Sequence, residues 1–515
     1  MRKRIIALTI ASLFPITLTT AQFVLQPWVQ VFGTVDGQQL GKYVTGITPS
    51  ANLPYRAAVS MNGSTSFFRL RDSTDILPQL TLPAEGPIFG DLNNDGYTDV
   101  VMTTTVNGWG TVLVYWGSAA GIDTLNPLRI PGEHQNDFFG ARCVGDINSD
   151  GRTDLIITGP AFVSGSNRGK IYVFLNPITS TLPQASIVGD SIESGLGVNC
   201  AVADLNNDGF QDLAARGIYH HGPQSARYDY INIYWGIGID TVNLTLGMQL
   251  RGYNLNSSAL ACFDANGDGI ADLLWTNRDG QGDWVYIHYG GVAFDTIPGL
   301  KLQDPGVANF GNAIINAGDM NGDGHDDILV AAYRATNTSG FVFVFGGGPQ
   351  IDGTFDAAVG MDSDSDFGVS VSSVGDVSGD GLSDIIVGAP AYDFAISNKG
   401  YWGIFKGDSA IRVTPVKEGE QLPRVMTLHQ AYPNPFNPQT TIRYDLNRSA
   451  TVTLEVFNVL GQRVTLLVHG GKVPGSYEAV LDGSGLASGA YLYRWTARTQ
   501  DGRTYTDTKR LTLVK

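Results

Sequence analysis

Asp91-Leu-Asn-Asn-Asp-Gly-Tyr-Thr-Asp99 is the first of six copies of one nine-residue pattern. The others are Asp146-Ile-Asn-Ser-Asp-Gly-Arg-Thr-Asp154, Asp204-Leu-Asn-Asn-Asp-Gly-Phe-Gln-Asp212, Asp264-Ala-Asn-Gly-Asp-Gly-Ile-Ala-Asp272, Asp319-Met-Asn-Gly-Asp-Gly-His-Asp-Asp327 and Asp376-Val-Ser-Gly-Asp-Gly-Leu-Ser-Asp384. Each keeps Asp at positions 1, 5 and 9 and Gly at position 6. Their starts are 55, 58, 60, 55 and 57 residues apart. That period is long for a solenoid coil and suits a four-stranded propeller blade.

The flanks repeat as well. An apolar run follows each copy, as in Leu155-Ile-Ile-Thr158, Ile328-Leu-Val330 and Ile385-Ile-Val387. After a Gly-rich or polar break comes a strand with period-2 aromatics: Ile171-Tyr-Val-Phe174, Ile231-Asn-Ile-Tyr234, Phe341-Val-Phe-Val-Phe345. No unit of this size buries both faces alone, so neighbours must stack, and a ring closes the array. Leu40 to Asp72 reads as a degenerate first blade without an acidic loop. Val29-Gln-Val-Phe-Gly33 matches the final strand of a blade and is assigned to complete the last one. The expectation is an all-β chain: a seven-bladed β-propeller over residues 23–412, then a small β-sandwich.

The loop chemistry points to a hard cation. Calcium takes six to eight oxygens at about 2.3–2.6 Å. Positions 1, 3, 5 and 9 offer side chains, position 7 a main-chain carbonyl, and Gly at position 6 permits the tight turn. The expected ligands are Asp91, Asn93, Asp95 and Asp99 with the Tyr97 carbonyl, and Asp146, Asn148, Asp150 and Asp154 with that of Arg152. Next come Asp204, Asn206, Asp208 and Asp212 with Phe210, and Asp264, Asn266, Asp268 and Asp272 with Ile270. Asp319, Asn321, Asp323 and Asp327 act with His325, and Asp376, Ser378, Asp380 and Asp384 with Leu382. Ser378 makes the sixth loop the weakest. An EF-hand needs Glu at position 12 and flanking helices. Here position 12 is Met102, Ile157, Ala215, Trp275, Val330 and Val387, all strand residues. Magnesium fits less well, because it prefers a rigid octahedron and keeps its waters. Up to six calcium ions are expected, in a structural role.

Composition agrees. The formal charge is −16, and only seven of the 49 acidic residues are Glu. A surplus of the shorter carboxylate belongs to tight loops and ligands, and the absence of a basic stripe argues against nucleic acid. Six divalent ions would offset twelve negative charges. Residues 1–22 read as a signal peptide: Arg2-Lys-Arg4, an apolar stretch to Leu18, then small residues before a cut. No later stretch is apolar and long enough to span a bilayer, so the mature chain is expected to have no transmembrane segment. Cys143, Cys200 and Cys262 are too few and odd in number for a disulfide framework. Buried free thiols are the simplest reading, with one bridge plus one thiol as the alternative.

The repeat resembles the FG-GAP repeat of integrin alpha-subunit propellers. The residues that carry the resemblance are Phe139-Gly140, Phe310-Gly311, Phe367-Gly368 and Gly388-Ala389-Pro390. Leu196-Gly197 replaces Phe-Gly in one unit, Gly159-Pro160-Ala161 permutes the second motif, and Ala331-Ala332-Tyr333 loses it. The resemblance implies a seven-bladed propeller with calcium loops on one face. It does not carry integrin adhesion with it: Arg-Gly-Asp is absent, and fold alone does not set function. Residues 413–428, with Pro415, Glu418-Gly-Glu420 and Pro423, read as a linker. Residues 429–515 then resemble the C-terminal sorting domain of the type IX secretion system. The matching stretches are Asn434-Pro-Phe-Asn437, Val456-Phe-Asn-Val-Leu-Gly-Gln462, Leu486-Ala-Ser-Gly-Ala-Tyr491 and the final Lys509–Lys515 strand. That resemblance implies export through the periplasm of a Gram-negative cell by the type IX machinery, then release or surface anchoring.

No catalytic constellation emerges. The seven histidines are scattered, with His220-His221 in an expected loop. There is no His-Glu-x-x-His, no Gly-x-Ser-x-Gly and no phosphate-cradling loop, and nothing in the spacing brings Glu133 or Glu193 to a partner. The segments after the loop strands must lie at the opposite face. There Trp109, Phe162, Tyr219, His221, Arg278, Tyr333, Arg334 and Tyr392 form a candidate ligand face suited to a glycan or an extracellular protein. A non-enzymatic surface binder is the expectation. A polysaccharide-degrading enzyme and a structural coat protein are the alternatives.

Overall fold

In the computed structural model the chain is described over residues 23–25, 27–32, 39–50, 53–70, 78–161, 167–190, 194–221, 226–239, 242–252, 259–279, 282–305, 307, 309–336, 339–361, 366–391, 400–411, 426–446, 450–459, 461–472, 475–499 and 504–514. Residues 1–22, expected as a signal peptide, most of the expected linker, Phe162, Glu193 and Tyr392 lie outside the described residues. Among the described residues every regular element is a strand.

Antiparallel sheets follow one another along residues 44–405. The first contains Val44–Gly46, Ala57–Met61, Ser64–Phe68 and Leu80–Leu82, and carries no acidic loop. The second runs Glu85–Gly90, Asp99–Val106, Trp109–Tyr115 and Leu128–Pro131. The third runs Gly140–Gly145, Asp154–Gly159, Lys170–Phe174 and Ala185–Val188. The fourth runs Asn199–Ala203, Asp212–His221, Ala226–Tyr234 and Met248–Gly252. Leu260–Phe263, Asp272–Asp279, Gly282–His288 and Leu300–Leu302 form the fifth. Ala313–Gly318, Asp327–Thr336, Ser339–Phe345 and Ala357–Met361 form the sixth. In the seventh, Ser370–Gly375, Asp384–Ala389 and Tyr401–Phe405 are completed by Pro27–Phe32 from the other end of the chain, with Val29 opposite Ile404 and Phe32 opposite Tyr401. Phe23–Val24 pairs in parallel with Ala357–Met361 of the sixth sheet, a contact the sequence reading did not foresee.

The sheets stack face to face. Each first strand lies against the first strand of the next sheet, and that of the seventh lies against that of the first. An apolar cluster fills each gap. Between the seventh and first sheets it gathers Val29, Trp402 and Ile404 with Val44, Val59 and Phe68, the Phe68 and Trp402 rings 5.1 Å apart. Buried Phe139, Phe310 and Phe367 each precede a first strand and pack on the third strand of their own sheet, against Tyr172, Phe343 and Phe405. The glycine that follows has a conformational reason. Gly311 has φ +80, and a Cβ there would come within 2.7 Å of Thr276 in the fifth sheet.

Residues 427–513 form two further sheets. One orders Thr427–Leu428, Gln439–Leu446 and Gly475–Asp482; the other orders Arg463–Lys472, Ala450–Asn458, Gly489–Thr499 and Thr504–Leu513. They share one core, in which Tyr444 stacks on Tyr477 at 5.2 Å near Trp495. The Asn434 side chain accepts from the Thr512 N–H at 2.8 Å and donates to the Arg510 carbonyl at 3.0 Å, tying the Pro-rich entry to the last strand.

Candidate functional site

Each acidic loop joins the first and second strands of a sheet, from the second sheet to the seventh, and all six share one set of hydrogen bonds. In the loop at Asp91 the position 1 carboxylate accepts the N–H groups of Asp95 (3.1 Å) and Gly96 (2.8 Å), and the Asp95 carboxylate accepts the N–H of Tyr97 at 2.9 Å. The same pair of acceptances at position 1 recurs at Asp146, Asp204, Asp264, Asp319 and Asp376. Gly at position 6 has φ between +82 and +88 in every copy. A Cβ there would meet nothing within 4 Å, so conformation alone demands the glycine. Position 4 is left-handed too, at Asn94, Ser149, Asn207, Gly267, Gly322 and Gly379. The sequence signal was the run of Asn, Ser and Gly at that position, which the sequence reading did not use.

Position 9 does something the spacing did not reveal. Asp99, Asp154, Asp212, Asp272, Asp327 and Asp384 are fully buried. One oxygen accepts the N–H of position 2: Leu92, Ile147, Leu205, Ala265, Met320 and Val377, at 2.8–3.0 Å. The other accepts an N–H just beyond the third strand: Gly117, Asn176, Gly236, Gly290, Gly347 and Gly407. Position 9 therefore clamps the loop to its own sheet. Burial pushes Asp99, Asp212 and Asp272 up to about 6, and Asp154 and Asp327 up to about 7, against the pull of those hydrogen bonds. Asp384 is raised for the same reason.

Among the described residues no three His, Cys, Asp or Glu side chains converge as a metal site by themselves. The oxygen set is mixed: carboxylates at positions 1, 5 and 9, an amide or hydroxyl at position 3, and the position 7 carbonyl. Asn148 Oδ1, at position 3 of the second loop, is buried with no hydrogen-bond partner. The sixth loop differs, because Lys406 Nζ lies 2.6 Å from Asp380 at position 5.

The candidate ligand residues distribute unevenly. Trp109 stands at the tip of the Asp99–Val106 to Trp109–Tyr115 hairpin, 47% exposed, at the end of the second sheet away from its acidic loop. Tyr333 is half-buried in its strand, its carbonyl accepting from Asn309 at 3.1 Å. Tyr219, His221, Arg278 and Arg334 fall on strand ends at that face. His220-His221 was expected in a loop; it is strand, pairing with Arg227 and Ala226, because the hairpin runs on past the sheet. Glu133 is ion-paired with Lys170 at 2.8 Å.

At the end of the sheets away from the acidic loops lies a cavity of about 520 Å3 shared by the first three sheets. Lys42, Tyr43, Glu85, Thr103–Thr105 and Phe138–Arg142 line it. Lys42 and Glu85 are paired at 2.8 Å, Arg142 donates through Nε to Thr158, and Phe138 is 70% exposed with φ +54. The sequence reading missed this group, since Phe138 and Phe139 look alike in sequence and only the second enters the core.

Comparison with known proteins bears on the same segments. The FG-GAP-like repeat family matches residues 91–157, 146–215 and 264–330, the FG-GAP repeat family residues 367–402, and the secretion system C-terminal sorting domain residues 430–506. Integrin alpha-4 of Xenopus laevis is 31% identical over half of this chain and 26% of its own length. Integrin alpha-7 of Homo sapiens is 30% identical over 41% of this chain and 19% of its own length. The chain thus spans about a quarter or less of these relatives. Among solved structures, the extracellular domain of the putative one component system BT4673 from B. thetaiotaomicron aligns over 96% of this chain and 58% of that one, with 10% identity and a TM-score of 0.34. The sorting domain indicates secretion or an outer-surface location by the type IX route. No helix among the described residues is long and apolar enough to cross a membrane.

Proposed function

We propose that this chain, a propeller of FG-GAP repeats followed by a type IX sorting domain, is an exported, calcium-loaded ring of seven blades that holds a glycan or an extracellular protein without turning it over. The observation that carries the reading is the contrast between the two ends of the sheets. One end repeats a single loop six times with the same hydrogen bonds. The other end is irregular, with Trp109 exposed at a hairpin tip and Phe138 exposed on a cavity of mixed polar and apolar lining. Repetition serves the framework, whereas irregular exposed aromatics over a scaffold are what a binding surface requires.

The loops fit a hard cation by donor chemistry, and the unpartnered Asn148 Oδ1 is an oxygen of the right kind at the right position. The residues that would hold calcium are those at positions 1, 3, 5, 7 and 9, with position 9 also clamping the loop to its sheet. A bound ion would supply positive charge where two carboxylates share one turn. Lys406 already supplies some of it to the sixth loop, which supports the expectation that this site is the weakest. The cyclic order of sheet contacts supports the closed ring.

The test is a glycan and matrix-protein array probed with the mature chain in millimolar calcium. Retention is expected, with no release of reducing ends or unsaturated products. Trp109→Ala with Phe138→Ala should lower retention at least tenfold while the melting temperature in calcium stays unchanged. Product release, or retention unchanged in the double variant, overturns the assignment.

A further inference from the structure

The three cysteines fall on the first strands of three successive sheets. Cys143 lies in Gly140–Gly145, Cys200 in Asn199–Ala203 and Cys262 in Leu260–Phe263. Those strands lie against one another in that order. Cys143 Sγ and Cys200 Sγ are 2.8 Å apart across the boundary between the third and fourth sheets, 57 residues apart in sequence, and both are free thiols. Cys200 is buried, and the neighbouring apolar cluster contains it, with Cys143 packed on its edge. The register in Gly140–Gly145 shifts between Ala141 and Cys143, an irregularity that falls at the residue meeting Cys200. Nothing in the loops or the proposed binding face uses these thiols.

We propose that Cys143 and Cys200 are joined as a disulfide between the third and fourth sheets in the exported protein, with Cys262 left as the free thiol. The chemistry is thiol–disulfide exchange with a disulfide-bearing protein oxidant of the periplasmic space. One cysteine thiolate attacks a sulfur of that oxidant, breaking its S–S bond and forming a mixed disulfide. The second thiolate then displaces the oxidant's sulfur. Two S–H bonds are lost and one S–S bond is formed, and the oxidant leaves as a dithiol carrying both protons and both electrons. The sorting domain supplies the reason such an oxidant is met. Contact with Cys200 and burial push the Cys143 thiol well above its usual range, so in the closed ring it stays protonated and unreactive. Exchange therefore belongs to folding, before the two first strands dock. Once docked, the bond is shielded from reductants and constrains the 57-residue segment between the two sheets.

The test uses the full mature chain secreted by a Gram-negative host that carries the type IX machinery. It is unfolded in guanidinium with iodoacetamide and no reductant, then weighed intact and mapped by peptides. One alkylated cysteine, Cys262, and a cross-linked peptide pair containing Cys143 and Cys200 are expected. Prior reduction should raise the count to three, and Cys143→Ser should give two alkylated cysteines, Cys200 and Cys262. Three alkylated cysteines in the unreduced wild type overturn the proposal. So does any cross-link that includes Cys262, in the wild type or in Cys143→Ser.

Discussion

Asp323 and Asp327 sit four residues apart on the same loop and meet different surroundings. Asp323 is exposed and turned onto the N–H of His325. Asp327 is fully buried and accepts from Met320 and Gly347, two amides that no water can reach once the sheet is formed. Replacing a buried acceptor strands both donors, a cost of about 2–4 kcal/mol. Asp327→Ala is therefore expected to destabilise by that amount already in chelator. Asp323→Ala should cost less than about 1 kcal/mol in chelator and show its effect only when millimolar calcium is added. Urea unfolding of both variants under the two conditions separates the roles. A cost in chelator as small for Asp327→Ala as for Asp323→Ala would mean that the clamp is secondary. In sequence the carboxylates are indistinguishable. What separates them is the chain just past the third strand, about twenty residues on, which no reading of the nine-residue loop contains.

At the scale of the strand, what could be read in the sequence is what local pattern encodes. The apolar runs after each loop and the period-2 aromatic strands fall inside observed strands because β-branched and aromatic residues fit a pleated, half-buried surface. The outer strands Leu80–Leu82 and Leu300–Leu302 are too short for any period to show. Arg463–Lys472 mixes polar and apolar residues without alternation and was not anticipated as a strand. Arg216 is the sharpest case: a guanidinium in the buried stretch of Asp212–His221, with no exposed surface. It is ion-paired with Asp229, donates to the Ala259 carbonyl at 2.7 Å and the Thr276 carbonyl at 3.3 Å, and lies 5.8 Å from the Trp275 ring. Those last three belong to or border the fifth sheet, so the side chain bolts two sheets together. Arg216→Ala leaves Asp229 buried without its cation and is expected to cost about 3–5 kcal/mol. Replacing both, Arg216→Met with Asp229→Leu, should recover most of that loss, since a well-packed apolar pair avoids the desolvation of two charges. Urea midpoints decide it: if the double variant is as weak as the single, packing between the sheets rather than the stranded charge sets the cost.

Over the propeller the order of the chain and the order of the sheets part company where the start of the chain meets the sixth and seventh sheets. The first five sheets of the propeller are each built from consecutive residues, whereas the fourth strand of the seventh comes from Pro27–Phe32. The segment before it, Phe23–Val24, lies on the sixth sheet, so ten residues hold two neighbours and link the ends of the array. Tyr401, Trp402, Ile404 and Phe405 are fully buried beneath this strand and the adjoining sheets. Val29 belongs to the cluster that joins the seventh sheet to the first. Such a contact spans nearly the full propeller in sequence, so its loop-closure entropy is met only after the other sheets are stacked. Without residues 23–32 the strand Tyr401–Phe405 becomes an open edge with unpaired backbone groups beside a breached core. A chain that starts at residue 33 is expected to melt on the order of 10 °C lower than one that starts at residue 23 and to associate through that edge. A synthetic peptide of residues 23–32 added in trans should restore the melting temperature by supplying the missing strand, as strand donation does elsewhere. A scrambled peptide should not. If the shortened chain melts at the wild-type temperature and stays monomeric, the remaining sheets hold one another without a closing strand.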